Sequence, residues 1–128
     1  MAAWNEYKDM ARERGALAFE VYVAESTPLG SPDAVKAALP GHLAYLKELE
    51  LNGRLMLAGP LSDDGGTEMQ GTGMLVLRAG SMEEARWLAE NDPMHLTGAR
   101  GFRLRKWLVN EGSVSVTVGL STKSLSLG

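Results

Sequence analysis

His42 and Asp92 are the side chains whose types and spacing could carry proton-transfer chemistry. At helical spacing His42 shares a face with Tyr45, Leu46 and Leu49 and is flanked by Leu39 and Leu43, so its imidazole falls within an apolar stripe and points inward. From position alone, a core histidine satisfied by a backbone carbonyl is the simpler reading. Asp92 changes the balance. It continues the inner face of a second helix, marked by Ala85, Leu88 and Ala89, and stands at that helix's C-terminal end. The partial negative charge there opposes a carboxylate by about 0.3 to 1 kcal/mol, so an inward acid at that point calls for a cation or a proton donor. Two helices lying side by side on a sheet would let His42 meet it. The alternative is that Asp92 caps backbone groups in the turn at Pro93.

His95 follows in the run Asp92-Pro93-Met94-His95. Two histidines and one carboxylate could form a facial metal triad, but nothing in the spacing makes His42 and His95 converge, so no metal is expected. His95 reads instead as a loop side chain or a substrate contact. Arg100, Arg103, Arg105 and Lys106 concentrate charge on the last core strand, either as a solvated sheet face or as an anion-attracting rim. Together with His95, the residues Tyr45, Arg103 and Trp107 make the expected substrate-binding set. Gly65, Gly66, Gly71 and Gly73 match neither a dinucleotide nor a P-loop spacing, and no Gly-x-Ser-x-Gly nucleophile elbow occurs. The absence of cysteine removes disulfides, thiolate metal sites and Cys nucleophiles together.

The elements that must position these residues follow from periodicity. Trp4, Tyr7, Met10 and Ala11 recur at helical spacing before Gly15. From Ala16 to Ala24 the pattern alternates, as in a strand, and 25–33 reads as a loop rich in Ser, Thr, Gly and Pro. Pro40 and Gly41 break the next helical stretch, so a short turn over 32–39 and a main helix over 40–51 are expected. Leu55 to Ala58 and Met74 to Leu77 read as buried strands around a polar, Gly-rich hairpin loop. Ser81 and Glu84 form a capping box that opens a helix running to about Asn91. Arg100 to Leu108 alternates again, and Val114 to Leu120 reads as an extra strand able to lie at an edge or to pair with a partner.

The core order is therefore strand, helix, strand, strand, helix, strand. That is the α+β, ferredoxin-like βαββαβ arrangement, with an added N-terminal helix and C-terminal strand. Tyr22, Met56 or Leu57, and Trp107 would then lie on a sheet face without helices, which a homodimer would cover.

The 128 residues, 45% apolar and 23% charged, suit one domain over 1–128 with a core of about 16–112. A net charge of −3 is weak and of the wrong sign for a nucleic-acid binder. Charges through the first fourteen residues leave no room for a secretory signal, and no apolar window is long enough to span a membrane, so a cytoplasmic protein is expected.

Four short motifs in order, His42-Leu-Ala-Tyr-Leu-Lys47, Gly59-Pro60, Asp92-Pro-Met-His-Leu-Thr-Gly98 and Arg103-Leu-Arg-Lys-Trp107 followed by Asn110-Glu-Gly112, resemble the YciI-like proteins over about 17–112. The resemblance implies a dimeric α+β barrel whose catalytic centre is a histidine–aspartate pair, matched here by His42 and Asp92. It places His95 at a histidine found in one subgroup. Leu39-Pro40-Gly41 departs from the pattern, because many members carry an arginine before the histidine. Relatives of the fold include muconolactone isomerases and a dehydrochlorinase of a chlorinated hydroxyhydroquinone. The implied function is a cofactor-free enzyme performing His/Asp-assisted isomerisation or elimination on a small ring compound such as a lactone or hydroxyquinol. The alternative is a non-catalytic dimer that binds a small metabolite or a protein.

Overall fold

Even-numbered positions from Tyr22 onward turn their side chains to one side, and the strand they belong to, β1 (Phe19–Pro28), runs beyond the expected Ala24. Glu25 and Ser26 pair with Met74 and Gly73 of a neighbouring strand, which satisfies backbone groups that a loop would have left to water. The expected loop at its C-terminal end is thus half strand. Local composition suggested a turn, and sheet pairing overrode it.

The computed structural model describes residues 1–128. They divide into two units, one over 20–107 and one formed by 1–19 with 108–128. In the larger unit β1 is followed by α2 (Pro32–Leu51), β2 (Leu55–Ser62), β3 (Met69–Leu77), α3 (Met82–Glu90), α4 (Pro93–Leu96) and β4 (Arg100–Val109); α1 (Trp4–Glu13) precedes them in the chain. The sheet order is β2-β3-β1-β4, with β3 antiparallel to both β1 and β2. This is the ferredoxin-like α+β fold. Register places Tyr22, Leu77 and Leu55 on one face and Val23, Val76 and Leu57 on the other. Tyr22, Ala24, Leu75, Leu77 and Leu104 pack with Leu49 of α2 and with Ala85, Leu88 and Ala89 of α3 to form the main core.

Three expectations need correction. Tyr22 belongs to that helix-covered core and not to the helix-free face. The β2 strand, read as buried, is an edge strand, and Leu57 on it is 58% exposed. Finally, α2 is one helix of 20 residues with Pro40 inside it, not a turn and a separate helix. Ser31 caps its start by accepting from Ala34 N–H, and Pro32 occupies the first turn, where no N–H is required.

In the smaller unit Ala11 of α1 packs with Ala18 and Leu108, flanked by Trp4 and Ala16. The extra strand is present as β5 (Val116–Val118), but it pairs with β6 (Leu125–Leu127), which periodicity did not reveal. The two form a separate sheet. No helix is long and apolar enough to cross a membrane.

Candidate active site

The segment after α3 decides where the site lies. Asn91 ends α3, and Pro93 cannot continue it but can start a helix, so the chain turns at Asp92 directly into α4. Asp92 Oδ1 accepts from Met94 N–H at 2.9 Å, capping α4. A carboxylate that would have been opposed by the end of α3 is thereby placed at the favourable end of the next helix. Asp92 is fully buried.

Above it passes α2. Gly41 is the close-approach point, because a Cβ there would stand 3.3 Å from the Pro93 ring. Its lack of a side chain lets α2 come down onto α4, where Ala38 packs with Met94 and Ala99. His42, the next residue, then reaches Asp92: Nδ1 lies 2.7 Å from Oδ2 and 2.9 Å from Oδ1. Asp92 thus caps the turn and also accepts from the imidazole. With Nδ1–H donated to the carboxylate, the neutral ring carries its lone pair on Nε2. The side chain is 20% exposed, so solvent or a small molecule can reach the ring.

His95 lies in a second network. Its Nδ1 is 2.7 Å from Ala89 O, which can only accept, so the proton is on Nδ1. Nε2 therefore accepts from the Ser26 hydroxyl at 2.8 Å. Arg100 Nε donates to the same Ser26 oxygen at 2.8 Å, and its Nη2 donates to Ser26 O and to Gly71 O. Phe102 packs against the His95 ring with centroids 4.7 Å apart. Burial pushes the His95 pKa down, against the bond to Ala89 O and the charge of Asp92, while the charges of Arg100 and His42 lower it further. Burial likewise lowers Arg100, partly offset by Asp92.

Tyr45 donates its hydroxyl to Leu88 O at 2.7 Å, tying α2 to α3. Burial, then the charges of Asp92 and Glu48, push its pKa to about 12, so the phenol stays a donor and does not serve as a base near neutral pH. The structure thus gathers His42, Asp92 and Tyr45 around one end of α3, with His95 close enough for its titration to feel both His42 and Asp92. Arg103 and Trp107 do not join them. Odd positions of β4 face away from Phe102 and Leu104, which belong to the helix-side core.

Ser26 and the site role of Arg100 escaped the sequence reading. Ser26 continues the even-numbered face of Tyr22 and Ala24, a signal obscured by the Ser-Thr-Pro composition that follows. A cavity of about 440 Å³ runs between α2 and β2, lined by Leu43, Leu46, Lys47, Glu50 and 55–58. It begins one residue beyond His42, and the imidazole is not part of its wall.

The sequence profile of the YCII-related domain matches residues 3–107. This protein belongs to that family. An uncharacterised protein of Bacillus subtilis, YjpA, is 33% identical over 67 residues, covering 52% of this chain and 72% of its own. Among solved structures, the 5-chloro-2-hydroxyhydroquinone dehydrochlorinase of Burkholderia phenoliruptrix, in complex with 2,5-dihydroxybenzoquinone, superposes with a TM-score of 0.56 at 25% identity. That likeness covers 68% of this chain and 92% of the dehydrochlorinase.

Proposed function

We propose that this member of the YCII-related family is a small-molecule enzyme in which His42 Nε2 takes a proton from a carbon or oxygen acid of a small ring compound. The observation that carries this reading is the bond from His42 Nδ1 to a fully buried carboxylate, with the opposite ring nitrogen left as the basic one. Asp92 fixes the tautomer and stabilises the imidazolium formed in the transfer, the role an orienting carboxylate plays wherever an imidazole is general base. The proton is then returned to another atom of the ring, which is isomerisation, or leaves with a departing anion such as chloride, which is elimination. Positioned acid–base help of this kind contributes typically about 10²- to 10⁴-fold, enough for substrates whose protons are already acidic. The dehydrochlorinase acts on such a ring compound, and its likeness supports chlorinated hydroxyquinols as the substrate class. In this reading His95 contacts the substrate, exchanging its bond to Ser26 for one to the ligand.

The test is turnover of small lactones, dienones and chlorinated hydroxyquinols by the wild type and by His42→Gln. Gln keeps polar atoms near the ring positions but cannot exchange a proton near neutral pH, so a fall of about 10²- to 10⁴-fold with an unchanged melting temperature is expected. Equal rates on a true substrate reject the mechanism. A second reading is a dimeric module that binds a metabolite without chemistry, favoured by a cavity whose lining includes Leu43 and Leu46 but not His42. Tight binding of one of these compounds by the wild type, with no turnover of any, selects it.

A further inference from the structure

The hairpin β5–β6 lies outside the span shared with the family. Its register sets Val116 opposite Leu127 and Val118 opposite Leu125, so these four side chains share one face, while Thr117 and Ser126 share the other. Gly119 N–H donates to Ser124 O and Gly128 N–H to Ser115 O, closing the hairpin at both ends. The apolar face is open: Val116, Val118, Leu125 and Leu127, with the flanking Val114 and Leu120, are 54% to 92% exposed. A lone two-stranded hairpin is marginal in water and gains independent stability only when its apolar face is packed.

The size and charge of the patch indicate what packs there. At roughly 100 Å² of apolar surface apiece, six such side chains amount to about 600 Å². That is the upper end of what a monomer leaves uncovered and close to the roughly 800 Å² that each partner of a standard interface contributes. From Ser113 to Gly128 the only charged side chain is Lys123, so the segment neither repels its own copy nor offers the basic stripe that nucleic acid or an anionic membrane surface would select. A two-fold axis laid on the face parallel to the strands brings the leucine-bearing strand of one hairpin over the valine-bearing strand of the other, larger side chains over smaller ones. Such a contact is isologous and closes on itself. We propose that the C-terminal hairpin is an association element whose Val116, Val118, Leu125 and Leu127 face is covered by the same face of a second copy of this chain.

The absence of cysteine allows a clean test. Thr117→Cys, on the polar face, gives the full-length protein one attachment point for a nitroxide, and pulsed dipolar spectroscopy then measures the distance between protomers. Facing sheets lie about 10 Å apart, so the proposal expects an inter-protomer distance below about 30 Å whose amplitude falls on dilution. Val118→Lys with Leu125→Lys should abolish it, while Ser126→Lys on the polar face should leave it. Amide exchange at Val116 to Val118 reports whether the lysine pair leaves the hairpin folded. No inter-protomer distance in the Thr117→Cys protein at high concentration overturns the proposal however the lysine pair behaves. So does a distance below about 30 Å that persists with a folded hairpin carrying both lysines, whereas a longer one belongs to another contact between copies.

Discussion

The two oxygens of Asp92 share two donors, Oδ1 accepting from Met94 N–H and lying 2.9 Å from His42 Nδ1 while Oδ2 takes the shorter 2.7 Å contact to the same ring nitrogen, and this makes the residue harder to replace than its position suggests. From sequence alone, Asp92→Asn should be mild, since it leaves an imidazole able to titrate. The geometry argues otherwise. Oδ1 accepts from Met94 N–H, so an asparagine keeps that cap by turning its carbonyl there and directs its amide N–H toward His42 Nδ1–H. Two donors then meet at the shorter contact, Nδ1–H keeps only the 2.9 Å approach to Oδ1 that Met94 N–H already shares, and the preference for the tautomer with a basic Nε2 weakens. We expect Asp92→Asn to lower turnover about as far as His42→Gln while changing the melting temperature little. A rate near wild type would show that the tautomer is set elsewhere. His95 makes a separate prediction. Its folded pKa lies below the ordinary value of 6.5, so the unfolded chain binds the extra proton more readily. Its contribution to stability is full above pH 6.5 and declines as pH falls through the folded value, because protonation removes the acceptor for Ser26. Urea unfolding from pH 8 to pH 5 should show this loss in the wild type and a shallower one in His95→Gln; parallel curves would assign the loss to other groups.

Within α2, Pro40 and Gly41 break the rules of helix formation, and they do so immediately before His42. Proline inside a helix costs about 3 kcal/mol and glycine about 1 kcal/mol relative to alanine. The helix persists because Ala38 and Leu49 are buried on one side of it and Ser31 caps its start. Weak helix formers tolerated at a site usually have a packing reason, and for Gly41 it is the Pro93 ring, which would stand only 3.3 Å from a Cβ placed there. Gly41→Ala should gain helix propensity and lose it again to the tighter contact, leaving stability within about 1 kcal/mol of wild type. The same methyl lifts α2 from α4 by a few tenths of an ångström and lengthens the His42–Asp92 bond, so turnover should fall. Kinetics and melts on the one variant check both parts, and unchanged turnover would show that the close approach is not what positions the imidazole.

For the whole molecule the helix-free sheet face is the expected dimer surface. Leu57 and Trp107, 58% and 44% exposed, lie on it, while Tyr22 does not contribute. The hairpin and the sheet face can be separated in one experiment. With Val118→Lys and Leu125→Lys in place, light scattering at micromolar concentration should still report a dimer held by the sheet face. Adding Leu57→Glu and Trp107→Glu should give a monomer, because a glutamate cannot be desolvated at the centre of an apolar contact without large cost. A monomer already present with the lysines alone would remove the sheet face from consideration.

Much of this was legible in the sequence because it depends on neighbours along the chain. The order of strands and helices follows from periodicities of two and 3.6 residues, and the Ser81 cap on Glu84 N–H is the expected one. The inward aim of His42 and of Asp92 followed from the same spacing, and so did the need of Asp92 for a donor. What the sequence left open depends on residues far apart in the chain. Only pairing with β3 could extend β1 to Pro28 and bring Ser26 under His95. Only tertiary packing, of Ala38 against α4 and of Leu49 in the main core, could hold α2 together through Pro40. The face of β4 that carries Arg103 and Trp107 was likewise given its surroundings only by which side the helices cover, because alternation divides a strand into two sides but does not say which side is buried.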